Sequence, residues 1–195
     1  MKNILIINGW HNFANSKGEF NKSLFDMSVD FFNESNNYAL KVTEINKDYQ
    51  VEEEVLKFTW ADVIIYHTPI WWFSIPFKFK KYFDEVLTSG YRNGLWNSDG
   101  RSSENPEVNY GTDGQLRGKK YVLTTSWNAP KGAFTGSNEF FNGLNPDEGV
   151  LSGFHGMNRY LGLNLIQSLQ FFDIEKNADV NQEFEKYKLF LDRGF

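Results

Sequence analysis

The chain has 195 residues, is 41% hydrophobic and 17% aromatic, contains no cysteine and carries a formal charge of −5. That length suits one domain with a sizeable core, and the missing cysteine excludes a disulfide frame, a thiol nucleophile and a thiolate metal site. The mild negative charge argues against nucleic acid as partner. No apolar run approaches a membrane span, and the opening MKNILIING is too short for a signal peptide, so a cytoplasmic protein is expected.

In chain order, Lys2–Ile7 reads as a strand buried on both faces, because Ile4, Leu5, Ile6 and Ile7 are contiguous. Asn8–Gly9 ends it, and a polar loop follows. Ser16 and Glu19 have the spacing of a capping box, which predicts a helix with Ser16 as N-cap. Phe20, Leu24, Met27 and Phe31 recur at helical spacing as its buried face. Leu40–Ile45 alternates as a second strand. Glu52–Trp60 is a helix with an acidic first turn.

The stretch DVIIYHTPIWWFSIP, residues 62–76, organises the chain. Val63, Ile64 and Ile65 make a third strand, which Pro69 closes. Ile70, Trp71, Trp72 and Phe73 then stand on a loop, and Pro76 opens a helix that ends near Gly90. Residues 91–118 are rich in Gly, Asn, Ser and Asp, a long insertion of the kind usually functional or disordered. Lys120–Ser126 is strand four, leading into Trp127, Asn128 and Ala129. Residues 132–146 read as loop, 150–161 as helix and 163–172 as strand five. A last helix carries Phe184, Tyr187 and Leu191 on one side.

Five β-α repeats predict an α/β domain spanning residues 1–195. Its parallel sheet would have the order 2-1-3-4-5, with helices on both faces. The loops after strands one, three and four then converge on one crevice. A helix N-terminus there favours a phosphate, with Ser16 and Lys17 beside it. Trp71 and Trp72 suit a flat ring. Phosphate at one end and indoles at the other fit a flavin better than a nicotinamide alone.

The residues carry a resemblance over nearly the whole chain. NILIING, Ser16-x-Gly18-x-x-Asn21, WADVII, Pro69-x-Trp71-Trp72, KKYFDEV, Ser98–Arg101, Tyr110-Gly111, GKKY at 118–121, Trp127–Pro130 and Phe154-His155-x-x-Asn158 follow in order. Together they resemble the bacterial modulator of drug activity B family, NAD(P)H:quinone reductases of flavodoxin-like fold related to DT-diaphorase. The resemblance implies FAD, with FMN as the smaller alternative, NADPH or NADH as hydride donor, and a small-molecule quinone as acceptor. It also implies a homodimer with the site near the interface, and two-electron transfer through flavin N5 with ping-pong kinetics. The implied cofactor residues on the phosphate side are Ser16, Gly18, Phe20, Asn21 and Ser23. Around the ring they are Pro69, Ile70, Trp71, Trp72, Ser126, Trp127, Asn128 and Ala129, with Tyr110 as a further contact and candidate catalytic group. One departure stands out, since the family pattern has glycine where this chain has Ile70.

Other readings stay open. A flavodoxin-type single-electron carrier, a nitro- or azo-compound reductase, and a flavin-free interaction protein are all compatible with this pattern. The histidines show no metal-ligand spacing, so no metal is expected. His11 reads as solvated or nucleotide-side, while His67 and His155 read as structural.

Overall fold

The computed structural model describes residues 1–14 and 16–195. Residue 15, inside the first loop, lies outside the described residues. The elements are β1 Lys2–Asn8, α1 Glu19–Asn33, β2 Tyr38–Glu44, α2 Val51–Trp60, β3 Val63–Pro69, α3 Phe77–Ser89, β4 Lys120–Ser126, α4 Gly132–Thr135, α5 Ser152–Leu161, β5 Asn164–Phe171 and α6 Val180–Gly194. The strands pair in parallel in the order β2-β1-β3-β4-β5. The expected flavodoxin-like, three-layer α/β topology is therefore present. The short α4 interrupts the stretch read as loop.

The β-branched and leucine runs of β1, β3 and β4 form the central strands because both their faces are covered. Every residue of β3 is buried. On one face Leu5, Ile7, Ile64, Tyr66 and Leu123 pack against Val55 and Phe58 of α2, Phe79 and Phe83 of α3, and Phe154 of α5. On the other face Ile4, Ile6, Val63, Ile65 and Val122 meet Phe20, Leu24 and Phe32 of α1 and Tyr187 and Leu191 of α6.

The buried side of α1 is rotated from the expected one. Phe25, Ser28 and Phe32 join Phe20 and Leu24, while Met27 and Phe31 are only half-buried. The buried Ser28 explains the rotation. Its hydroxyl donates to the Leu24 carbonyl at 2.9 Å, and its oxygen lies 3.0 Å from His67 Nε2 and 2.6 Å from the Tyr187 hydroxyl.

Residues 91–118 are an ordered clamp. Leu95 and Leu116 are in the core, Trp96 Nε1 donates to the Leu87 carbonyl at 2.7 Å, and Leu116 N–H donates to Leu161 at 2.9 Å. These anchors join the end of α3 and the end of α5, so the clamp sits where β4 and β5 begin. The opposite end of the sheet, where the strands finish, is left to the loops after β1, β3 and β4. Among the described residues no helix is long and apolar enough to cross a membrane.

Candidate active site

At the carboxyl ends of β1, β3 and β4 the three loops enclose a cavity of about 810 Å³, toward the upper end of the roughly 300–1,000 Å³ range of small-molecule sites. Strand order explains its place: chain connections diverge between β1 and β3, which leaves a crevice above the sheet.

Ser126 fastens the floor. Its hydroxyl accepts from Asn21 Nδ2 at 2.8 Å, and its carbonyl accepts from the Ile70 N–H at 2.9 Å. One residue thus holds α1, the β3–α3 loop and the end of β4 together. Asn21 is 2% exposed, and its Oδ1 has no hydrogen-bond partner among the described residues.

The phosphate side differs in detail from the expected capping box. The N-cap of α1 is Gly18, in left-handed conformation at φ 66°, with no side-chain cap. Ser16 therefore does not cap the helix; its N–H instead closes a turn onto the Phe13 carbonyl at 3.0 Å. Gly18 is needed twice. Its φ suits glycine, and a β-carbon there would stand 2.0 Å from the Trp10 indole. Lacking a side-chain cap, the first-turn N–H groups keep their capacity for an anion. Lys17 adds a cation at the rim, but Glu19 and Glu175 line the same cavity, so recognition of an anion falls to the backbone more than to net charge.

The opposite wall is the turn after β3. Trp71 and Ser74 exchange two backbone hydrogen bonds of 2.9 and 3.1 Å. The residues between them, Trp72 at φ 48° and Phe73 at φ 62°, are both left-handed, the pattern of a type I′ turn. Ile70 is not among the positive-φ residues. The conformational freedom a glycine would bring is not required there, and the loop accommodates the branched side chain. The two tryptophans do not form one wall: Trp71 is half-buried, whereas Trp72 is 91% exposed at the rim. Phe73 stacks on Phe140 at 5.4 Å and 18°.

Of the residues singled out in the sequence, Ser16, Gly18, Phe20, Asn21, Ser23, Pro69, Ile70, Trp71, Trp72, Ser126, Trp127 and Asn128 line the cavity. Trp127 is only 4% exposed. Its indole is buried against Phe134 at 5.0 Å and donates to Thr125 Oγ1 at 2.8 Å. Ala129 is not in the lining; its carbonyl receives the Asp173 N–H at 3.1 Å and fixes the β5–α6 connection. Tyr110 is not in the lining either. It is 69% exposed on the clamp, 5.9 Å from Tyr160 and under the Arg101 guanidinium, at the end of the sheet where β4 and β5 begin.

Several lining residues were not foreseen. Phe13 and Ala14 come from the first loop, and Ile174, Glu175, Val180 and Phe184 from the β5–α6 connection and α6. The Phe184 ring stacks on Phe20 at 5.1 Å and 16°, which carries the cavity beyond the start of α1. At the sequence level Phe184 is indistinguishable from an ordinary core position of an amphipathic helix.

The three histidines are all packed. His67 is fully buried, with Nδ1 2.7 Å from Thr124 Oγ1. His155 lies between the Tyr121 hydroxyl at 2.7 Å and Asp147 at 2.9 Å. His11 is 1% exposed and so is not a solvated residue. Among the described residues no cluster of His, Asp or Glu could hold a metal.

Comparison with known proteins agrees with this architecture. A family model described as flavodoxin-like fold matches residues 2–191. The NADPH:quinone oxidoreductase MdaB of Haemophilus influenzae is 39% identical over 193 residues, 99% of each chain. A candidate quinone reductase of Klebsiella pneumoniae superposes with a TM-score of 0.75 at 17% identity, over 99% of this chain and 83% of that one. General stress protein 14 of Treponema denticola, solved with FMN, superposes with a TM-score of 0.65 at 20% identity over 98% of both chains. The last two comparisons speak to fold alone, and the first two to descent: the chain belongs to the flavodoxin-like fold family, in the group that includes the modulator of drug activity B.

Proposed function

We propose that the protein is a flavin-dependent NAD(P)H:quinone oxidoreductase of the cytoplasm. The observation that carries this reading is one cavity joining a helix N-terminus to an aromatic turn, in a chain 39% identical throughout to an NADPH:quinone oxidoreductase. The residues fit a flavin. The first turn of α1 carries no side-chain cap, Asn21 brings to it a buried amide whose oxygen has no partner among the described residues, and Trp71 offers a flat apolar wall.

The first turn of α1, with Ser16, Lys17 and Ser23, would hold the phosphate side. Pro69, Ile70, Trp71 and Asn128 would flank the ring. We favour FAD over FMN because the cavity continues past α1 to Ile174, Val180 and Phe184, a shelf that is apolar apart from Glu175 and suited to a second ring. What the cofactor supplies is two-electron exchange between a nicotinamide and a quinone at one face. The protein's own part is to orient rings, exclude water with Phe13, Trp71 and Phe20, and keep the loops fixed through Ser126.

Tyr110 belongs to this reading only in a homodimer. Within one protomer it lies at the wrong end of the sheet, so a second copy must bring it to the cavity, to cover the site or assist protonation.

An anaerobic titration of the FAD-loaded protein with NADPH tests the function. The yellow absorbance bleaches within seconds and returns on adding benzoquinone, and initial-velocity lines are parallel. A flavin that resists NADPH and forms a stable blue semiquinone would instead make the protein a single-electron carrier.

A further inference from the structure

His11 is a buried ionisable group, packed against the cavity wall, that the proposed function leaves unused. Its ring nitrogens are both sealed from solvent and have no hydrogen-bond partner among the described residues. It packs edge-on to Phe77 at 4.6 Å and to Trp71 at 4.9 Å, with Phe13 at 6.2 Å. Phe13 in turn lies 5.3 Å from Trp71 and 5.6 Å from Phe77. The four rings come from the β1–α1 loop, the β3–α3 turn and the first residue of α3. Phe13 and Trp71 line the cavity. The cluster therefore bolts one cavity loop to another, with His11 at its centre.

An imidazole is a costly choice for that place unless its charge state is used. Neutral, it behaves as a flat ring with one donor and one acceptor. Protonated, it has two N–H donors and no acceptor for them among the described residues. Aromatic faces attract a cation, but the charged groups around it do not help. From α3 the facing ion is Lys78, of the same sign. The turn 69–76 carries no ionisable group, and the loop 9–18 carries only Lys17 besides His11. Burial first, and Lys78 second, hold the His11 pKa below the ordinary histidine value.

We propose that His11 is a positioning residue that clamps the β1–α1 loop to Trp71, and that its protonation opens this wall and weakens retention of the flavin. The proposal rests on the flavin reading above. The proton comes from solvent and stays on the imidazole, so the device needs no other reactant.

The test is equilibrium dialysis of the full chain against FAD at pH 7.5 and pH 5.5, with His11→Phe in parallel. If the open loop protonates with an ordinary pKa near 6.5 and the closed one does not, the Kd of the unsubstituted protein rises about tenfold over that interval. His11→Phe keeps a ring in the cluster and changes less than about twofold. An equal rise in both proteins overturns the proposal, as does no rise in either. A lack of FAD binding by both at any pH removes the flavin reading, and the clamp is then decided by tryptophan emission of the same chains. His11 packs against Trp71 in the closed wall, so opening the wall moves that indole into water and shifts its emission to longer wavelength. A red shift of the emission below about pH 6.5, absent in His11→Phe, supports the clamp; matching curves overturn it.

Discussion

His67 is held in a chain of side chains that fixes its tautomer. Ser28 donates to the Leu24 carbonyl, so its oxygen must accept from both Tyr187 and His67 Nε2–H. Nδ1 then accepts from Thr124, whose hydroxyl lies nearer to it, at 2.7 Å, than to the competing Tyr66 carbonyl, at 3.4 Å. Burial lowers the His67 pKa to about 3. The sign follows: the folded state resists the proton that the unfolded chain takes up near pH 6.5. His67 thus contributes stability fully above that pH and loses it as pH falls toward 3, at about 1.4 kcal/mol per pH unit. Urea denaturation at pH 7 and pH 4.5 should show a loss of about 2–3 kcal/mol from this group, and His67→Asn, weaker at pH 7, should lose less on acidification. Trp72 argues in the opposite direction. Its left-handed φ of 48° costs about 1–2 kcal/mol, and its side chain is nearly all exposed. Trp72→Asn should raise the unfolding free energy by about 1 kcal/mol, and the denaturation midpoint with it, since asparagine tolerates that conformation. An unchanged or lower midpoint would mean that the exposed indole itself stabilises the turn.

Elements differ in how openly they are written in the chain. The strands are legible because double burial demands contiguous apolar residues, and Ile4–Ile7 and Val63–Ile65 supply them. The convergence of three loops follows from strand alternation alone, whereas the fourteen singled-out residues came from the resemblance, and twelve of them line the cavity. The start of α1 is less legible. A Ser-x-x-Glu spacing matches a capping box, yet the close approach of Trp10 to the backbone makes Gly18 the cap. The turn at Trp71–Ser74 has none of the Asn-Gly chemistry that announces type I′, because Phe73 stacking on Phe140 and the closed Trp71–Ser74 bonds override local preference. The cavity's far shelf is hidden because Val180 and Phe184 obey the same periodicity as the core. The α1 reading yields its own prediction. Gly18→Ala places a methyl group on the Trp10 indole and forces alanine to positive φ, and should destabilise the fold by about 2 kcal/mol or more. Glu19→Ala, without any capping contact, should stay within about 0.5 kcal/mol. Thermal denaturation of the two variants distinguishes a glycine cap from a capping box, which would reverse the order.

At the scale of the whole molecule, the clamp and the cavity occupy opposite ends of one sheet. The end where β4 and β5 begin carries an exposed Tyr110 with Arg101 over its ring. The other end carries the cavity, rimmed by exposed Trp72 and Phe13. The resemblance implies a homodimer, but the residues themselves do not announce one, because an exposed tyrosine on an insertion looks the same whether it meets water or a second protomer. If Tyr110 serves the site at all, it serves its neighbour's. Tyr110→Ala removes an exposed ring and should alter stability by less than about 0.5 kcal/mol, while kcat/KM for quinone falls. Asn21→Leu breaks the Ser126 bond and spoils the cavity of its own chain, leaving its Tyr110 intact. Each variant alone is then weak. Mixed, unfolded together and refolded, they form hybrid dimers in which the Tyr110→Ala protomer keeps a sound cavity and receives a tyrosine from its Asn21→Leu partner. In a two-fold dimer one of the two sites is whole, so activity per hybrid should recover to about half. Mixtures no more active than the mean of the two variants would place Tyr110 outside the site. The cavity would then be complete within a single chain.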